Sequence, residues 1–376
     1  MPKINEIAEC ATEQGLSLLS FLPRQSAEHI LQKERAYLDS YQEKGYAGQM
    51  SYLKRDSSLY GTLDTVLKDY RSVVSLAWLY PRNSYLHTPL PEGYGRVASY
   101  AWRNDYHQPF KEKLIRIAKK LELKFDAQFR YRCFVDAAPI LERPLAQAGA
   151  VGRVGRNGLF IRPGLGSYMF IGEIVSDLEV DTALTTDNVV TDLCKSCCRC
   201  CENCPTQALV ADYTLDARRC ISYLSIEKRG MLAPSESLQL GEWLWGCDIC
   251  QACCPYNTGR RALPEDSTDY SAQAFISLRE TLKIREEREF LRLYQGSAFM
   301  RGGRQQLLRN ACCVAANTHA LSIVDQLITC GSEDSSAIVR QQAMLSLGQL
   351  KGEATGIECI KIDNALAKLL YRTQKA

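Results

Sequence analysis

Several things are missing from this 376-residue chain, and each absence narrows its chemistry. No apolar run approaches the ~18 residues of a membrane span, so no membrane partner is expected. Met1-Pro2-Lys3-Ile4-Asn5-Glu6 leads into an amphipathic helix, without the apolar core and cleavage site of a secretory leader. The expectation is a cytoplasmic protein. A net excess of either charge is lacking too: 46 Lys and Arg against 43 Asp and Glu leave +3, so any basic face is a local patch. No haem attachment motif occurs. Ala150-Val151-Gly152-Arg153-Val154-Gly155-Arg156-Asn157-Gly158 has the wrong glycine spacing for a dinucleotide fingerprint and opens no clear helix. It reads as a tight turn, and a nicotinamide site is rejected.

Cysteine, by contrast, is abundant and clustered. Eleven of the 17 cysteines lie between Cys194 and Cys254. In a chain with no secretory signal this argues for metal binding over a disulfide framework. Cys194, Cys197, Cys200 and Cys204-Pro205 fit C-x2-C-x2-C-x3-C-P, the run that wraps a 4Fe–4S cluster. The fourth cysteine of such a run serves the other cluster. The crossing rule therefore puts Cys194, Cys197, Cys200 and Cys254 on one cluster, and Cys204, Cys220, Cys247 and Cys250 on the other. Cys198, Cys201 and Cys253 break the spacing and are taken as non-ligands. A zinc site competes for paired C-x2-C, but explains neither the third cysteine of the first run nor the two Cys-Pro pairs.

Length and composition predict two or three domains of an ordinary soluble kind, 46% apolar and 24% charged. Residues 1–180 read as an α/β domain. Helices are expected over Ile4–Gln14, Ser26–Lys44 (Ser26 as N-cap) and Asp105–Leu123. Strands are expected over Leu16–Phe21, Ser72–Leu79, Arg132–Val135, Leu159–Arg162 and Tyr168–Val175. Gly93 to Trp102 mixes small and aromatic residues and suits either a wall against a flat ligand or a core strand. Asp136 falls at the end of a strand, before a helix expected near Ala137, where α/β enzymes place catalytic groups. Capping that helix is the plainer reading; a buried carboxylic acid that keeps its proton and delivers it is the other.

Residues 181–258 form the ferredoxin-like two-cluster domain, and 259–376 an α-helical region. A charged helix is expected over Leu282–Tyr294. Arg309-Asn310 and Arg340-Gln341, about 31 residues apart, each lead into a small-residue helix, a weak HEAT-like repeat. Arg301, Arg304, Arg309 and Lys351 there are either phosphate contacts or solvated arginines and lysine on a helical cap.

The motifs together resemble the epoxyqueuosine reductases. The resemblance rests on Val135-Asp136-Ala137-Ala138-Pro139-Ile140-Leu141-Glu142-Arg143-Pro144-Leu145, Gly166-Ser167-Tyr168, the cysteine run, Leu215 to Glu227, and Gly246-Cys247-Asp248-Ile249-Cys250-Gln251. It covers about residues 50–320. That family reduces the epoxide of epoxyqueuosine at the tRNA wobble position to queuosine, uses cobalamin and two 4Fe–4S clusters, and is related to reductive dehalogenases. The resemblance implies an α/β cobalamin-binding domain, with electrons passing from an external low-potential donor through the clusters to cobalamin. Asp136 would protonate the opening epoxide. Tyr60, Ala98, Asp136, Phe160, Ile171, Ser222, Ile226, Gly246, Cys247 and Asp248 would contact the cofactor. Lys228, Arg301, Arg304 and Arg309 would meet the anticodon stem-loop of a queuosine-family tRNA.

The chain departs from the family's pattern in places. Tyr60 stands where an arginine is usual, Lys68-Asp69 replaces a Pro-Gly turn, Arg153 replaces an aromatic and Arg156 a lysine. Two other readings are a relative acting on a small epoxide or halide, and a non-catalytic two-cluster electron carrier. The helical region counts against the first, and an α/β domain of some 180 residues against the second.

Overall fold

Ser72–Leu79 (SVVSLAWL) is apolar and β-branched enough to be a central strand, and it forms over those residues. The computed structural model describes residues 4–125, 128–179, 192–258, 263 and 269–375. Met1-Pro2-Lys3 and the expected boundaries at 180–181 and 258–259 touch or fall outside them. By its contacts the chain divides into two compact units, each assembled from separated segments. The first is Met1–Arg82, Asp105–Asp216 and Ile249–Ser267; the second is Asn83–Asn104, Ala217–Asp248 and Thr268–Ala376. Motif boundaries and contact boundaries thus follow different criteria.

The first unit is built on a four-stranded sheet. Ser72–Leu79 lies between Ser17–Pro23 and Met169–Ser176, and Tyr131–Phe134 adds beyond the latter. Strands and helices mix as expected, but every pairing in this sheet is antiparallel. Period-two alternation gives the sheet two apolar faces. Phe21, Val74, Leu76 and Ile174 pack on one side with Leu114 and Ile117 of the helix His107–Phe125. Leu22, Val73 and Val175 pack on the other with Leu31 of Arg24–Glu43 and Leu145 of Glu142–Gln147. Removing one such side chain, as in Leu31→Ala, costs about 2–5 kcal/mol. The short helix ends tight against the sheet: a Cβ on Gly149 would lie 1.9 Å from the Leu19 carbonyl oxygen.

Two expected helix starts differ. Arg24–Glu43 begins two residues before Ser26, after Pro23, whose extended φ and ψ end the strand; its start has no side-chain cap. The helix expected near Ala137 begins at Glu142. Pro139 accounts for this, because it disfavours helical geometry at Ala138 and lacks the N–H a continuing helix needs.

In the second unit Tyr94–Val97 pairs in parallel with Trp243–Trp245 and antiparallel with Phe275–Ser277. So the Gly93–Trp102 stretch is a core strand followed by a tight turn at Ser99–Ala101. The helix Gly303–Asn317 is buried along nearly its whole length. Ala337–Lys351 packs on it and on Val324–Glu333, and Gly356–Lys375 packs on both of these latter helices. The helix expected over Leu282–Tyr294 is two, Leu278–Leu282 and Glu287–Tyr294. Between them Ile284 enters the core at 1% exposure, and its carbonyl accepts from Arg304 instead of continuing a helical ladder.

Candidate active site and cluster ligands

The cysteine run is shaped by an aspartate just before it. Asp192 Oδ1 accepts from the amides of Cys194 and Lys195, both at 3.0 Å, and from the Tyr213 hydroxyl at 3.1 Å. The Lys195 amide foremost holds the Asp192 carboxyl below its ordinary range. Lys195 takes a left-handed φ of 41°, and Cys197 closes the turn by donating to the Cys194 carbonyl at 2.6 Å. Cys200 then rides the short helix Arg199–Asn203, and Cys254 precedes Pro255–Thr258.

These turns bring Cys194, Cys197, Cys200 and Cys254 to the wall of one cavity of about 210 Å³. Arg156, Arg199 and Tyr256 are among the other residues that line it; the sequence marks Arg156 only as a departure from the family's lysine and gives none of the three a site role. The Arg156 amide donates to Cys194 Sγ at 3.4 Å; such N–H···S bonds help set a cluster's potential. Its guanidinium is held by Asp212 and by the Lys195 carbonyl at 3.0 Å. Burial, with the neighbouring Cys201 next, pushes the Cys200 thiol up to about 12. Four thiolates so placed require cationic compensation. Among the described residues no three His, Cys, Asp or Glu side chains converge as a single-ion site. Thiols spread around a cavity suit a cube of iron and sulfide better than one zinc ion.

Cys198, Cys201 and Cys253 do not line this cavity. The Cys253 thiol instead donates to the Cys250 carbonyl at 3.6 Å. Of the second expected ligand set, Cys204 and Cys250 belong to the first unit, and Cys220 and Cys247 to the second. Cys204 Sγ accepts from the Ala208 amide at 3.3 Å, again a stabilising contact for a thiolate.

Asp136 closes the strand Tyr131–Phe134 in a left-handed conformation, φ 48°, unusual for a residue other than glycine. Its amide donates to Glu142 Oε1 at 2.9 Å, and its Oδ2 accepts from the Tyr106 hydroxyl. Tyr106 lies flat on Phe170. Two sequence readings are corrected here. Asp136 does not cap the following helix, whose N-cap is Leu141, and its side chain is exposed rather than buried. Glu142 and Glu173, which the sequence reading passed over, stand behind it. Burial first, then the nearby carboxyls, pushes Glu142 well above the usual carboxylate range; burial foremost does so for Glu173.

The expected cofactor contacts fall in both units. In the first, Phe160 packs with Leu19, Ala77 and Met169, Ile171 borders that cluster, and the buried Tyr60 donates its hydroxyl to the Tyr52 carbonyl. In the second, Ser222 is partly exposed on Ile221–Ile226, and Ile226 is buried near that helix's end. Gly246 has φ 68°, and a Cβ there would meet that of Ala98 at 2.6 Å, so only glycine fits. Asp248 accepts at Oδ2 from the Ser99 amide (2.7 Å) and Asn83 Nδ2 (2.8 Å), while burial pushes its carboxyl up to about 6.

Two of the four expected RNA contacts are also corrected. Arg304 is 4% exposed and spends its donors on Asp334 and the Ile284 carbonyl. Arg309, 1% exposed, donates to the carbonyls of Leu224, Lys228 and Gly230. Neither reaches solvent phosphate. Arg301 is exposed and paired with Glu227 at 2.6 Å; Lys228 pairs with Glu236 at 3.2 Å.

Comparison with known proteins places this geometry. Residues 62–137 match the family model described as epoxyqueuosine reductase QueG, and 193–257 match a 4Fe–4S double cluster binding domain. The chain is 32% identical over 318 residues to the epoxyqueuosine reductase of Salmonella typhimurium, spanning 84% of this chain and 81% of the relative. Against that of Xanthomonas campestris pv. campestris the figures are 33% over 324 residues, 85% and 89%. The solved Streptococcus thermophilus epoxyqueuosine reductase superposes with TM-score 0.82 at 25% identity, over 100% of each chain. An epoxyqueuosine reductase solved with a tRNA-Tyr epoxyqueuosine-modified stem loop gives TM-score 0.77 at 25% identity, over 98% of each.

Proposed function

The chain belongs to the epoxyqueuosine reductases, and from that premise we propose how its own residues divide the work. The reaction is reduction of epoxyqueuosine in tRNA to queuosine, with two 4Fe–4S clusters and cobalamin as cofactors. An epoxide that becomes an alkene takes up two electrons and two protons and releases one water. The electrons come from an external low-potential donor. The protons are the protein's task.

Cys194, Cys197, Cys200 and Cys254 hold one cluster, a reading supported by the cavity they share. Cys204, Cys220, Cys247 and Cys250 hold the other, by the crossing rule. Cobalamin, when bound, supplies the reducing centre for the carbon–oxygen bond. The partly exposed Ser222 and the main chain around Gly246, small and peptide-rich, fit a flat ring bearing amide arms. Ala98, Ile226, Cys247 and Asp248 support that surface within the second unit. Residues 1–180 carry the proposed acid and part of the cofactor site, 181–258 the clusters with the remaining cofactor contacts and Lys228, and 259–376 the other RNA contact, through HEAT-like helices. Lys228 and Arg301 are the RNA phosphate contacts, with Arg304 and Arg309 bracing the framework behind them.

The observation that carries the proton assignment is Asp136 itself. Its φ of 48° and its bonds to Glu142 and Tyr106 fix an exposed carboxyl in one orientation. Tyr106 occupies one oxygen, leaving the other to deliver a proton to the opening epoxide oxygen. General-acid help of this kind contributes about 10²–10⁴-fold. Asp136→Asn, loaded with normal iron and cobalamin, is expected to lose that factor in turnover of epoxyqueuosine-containing tRNA. Undiminished turnover removes the acid role from Asp136.

A further inference from the structure

The two protons consumed per turnover pose a supply question for a site with one proposed acid. The structure offers an answer one layer below Asp136, inside the sheet. Glu173 lies on Met169–Ser176, registered opposite Ser75 on one side and Phe134 on the other, and is 0% exposed. It sits on the face that otherwise carries Val73 and Val175 against Leu145. Neither of its carboxyl oxygens has a hydrogen-bond partner of normal geometry, nor does the Ser75 hydroxyl beside it. An ionised carboxylate there would be desolvated with no cation beside it, costing several kcal/mol, whereas a protonated one is tolerated.

The groups acting on Glu173 are Glu142, Asp136 and Ser75, and none is a cation. On the neighbouring elements Arg132 turns to the Val66 carbonyl, and Arg143 to the Gly158 carbonyl. Glu142 links the two levels: it neighbours Glu173, and its Oε1 accepts from the Asp136 amide at 2.9 Å. A buried acid, a half-buried acid and an exposed acid thus run in sequence from core to surface.

We propose that Glu173 and Glu142 form an internal proton store that recharges Asp136, so that both protons of the reduction leave through that one carboxyl. The inference rests on the epoxyqueuosine reductase reading. Asp136 gives the first proton as one carbon–oxygen bond breaks and the oxygen becomes a hydroxyl. Glu142, backed by Glu173, returns a proton to Asp136. Asp136 gives that second proton as the remaining carbon–oxygen bond breaks, and water leaves. The two electrons enter from the external donor, and solvent refills the store through exposed Asp136. Glu173 and Glu142 never touch substrate in this scheme; they hold and pass protons.

The test uses holoenzyme carrying Glu173→Gln, an isosteric change suited to the same cavity, and Glu142→Gln, which keeps an oxygen for the Asp136 amide. Iron, cobalamin and tRNA affinity are expected to match wild type. Turnover is expected to fall on the order of tenfold above neutral pH, the deficit closing as pH falls and solvent acid substitutes. Small buffer acids are expected to restore the rate in proportion to their concentration. Infrared spectroscopy gives a readout independent of turnover: a protonated-carboxyl band at neutral pH in wild type, lost in Glu173→Gln. A wild-type pH profile in the variants, a deficit equal at all pH values, or no such band overturns the store. Wild-type holoenzyme inactive on epoxyqueuosine-containing tRNA would instead overturn the reading beneath it, while the infrared band still reports on Glu173.

Discussion

Tyr106 lies flat on Phe170, ring centroids 3.6 Å apart and planes 8° from parallel, while its hydroxyl donates to Asp136. The stack aims the donor, and the donor aims the acid. Tyr106→Phe keeps the first and removes the second. One hydrogen bond to a neutral acid is worth about 0.5–1.5 kcal/mol, so turnover of the modified tRNA should fall by up to about tenfold. Thermal unfolding should shift little. A turnover equal to wild type would mean that Asp136 is oriented by its backbone alone.

Cysteine variants separate ligands from neighbours. Cys254→Ser should remove about half the iron and sulfide per chain, because one of two 4Fe–4S clusters loses a ligand. Cys253→Ser should leave both at full content, since that thiol is engaged with the Cys250 carbonyl. Iron and sulfide analysis of anaerobically purified protein checks both, and the opposite pattern would exchange their roles.

Arginines in the helical segment should fall into two classes. Arg304→Ala breaks a buried pair with Asp334, a change that typically costs 3–5 kcal/mol, read by denaturant unfolding. Arg301→Ala should leave stability within about 0.5 kcal/mol. It should lower the steepness with which tRNA binding falls with salt by roughly one ion equivalent. Loss of salt dependence in Arg304→Ala with stability intact would reverse the assignment.

Stability should also carry the mark of the buried carboxyls. Burial foremost raises Glu173 in the folded protein well above its range, whereas the unfolded side chain titrates near about 4.3. A carboxyl raised in the folded state holds its proton there while the unfolded chain releases it. Its contribution is therefore intact below the unfolded value and is lost as pH rises toward the folded one. Glu173→Gln has no proton to lose. Its melting temperature relative to wild type should climb steadily from pH 5 to pH 8; a constant difference would place an ionised carboxylate in the sheet.

Much of this was legible in the residues. Ser72–Leu79 forms over the expected span because its apolar, β-branched run admits no other burial. Cys194, Cys197, Cys200 and Cys254 share one cavity because their spacing encodes turns. Arg304 and Arg309 were misassigned because a guanidinium reads the same whether it meets phosphate or a buried carbonyl. Arg156 stayed hidden for a different reason: the contact to Cys194 is made by its amide, which every residue but proline supplies. Glu173 did leave a signal, a lone acid in the otherwise acid-free strand MFIGEIVS.

Gly303–Asn317 has a consequence for how this protein is made. Arg309 and Asn310 satisfy carbonyls of Leu224, Ser225, Lys228, Gly230 and Leu244, all synthesised well before the helix itself. Until residues near 310 have left the ribosome, those carbonyls lack the donors that this helix supplies, and Tyr94–Val97 waits still longer in sequence for the core that covers it. The second unit therefore cannot mature in the order it is translated. Its early segments are held open for a late one, which makes truncation near the C-terminal third a folding lesion rather than a trimmed appendage.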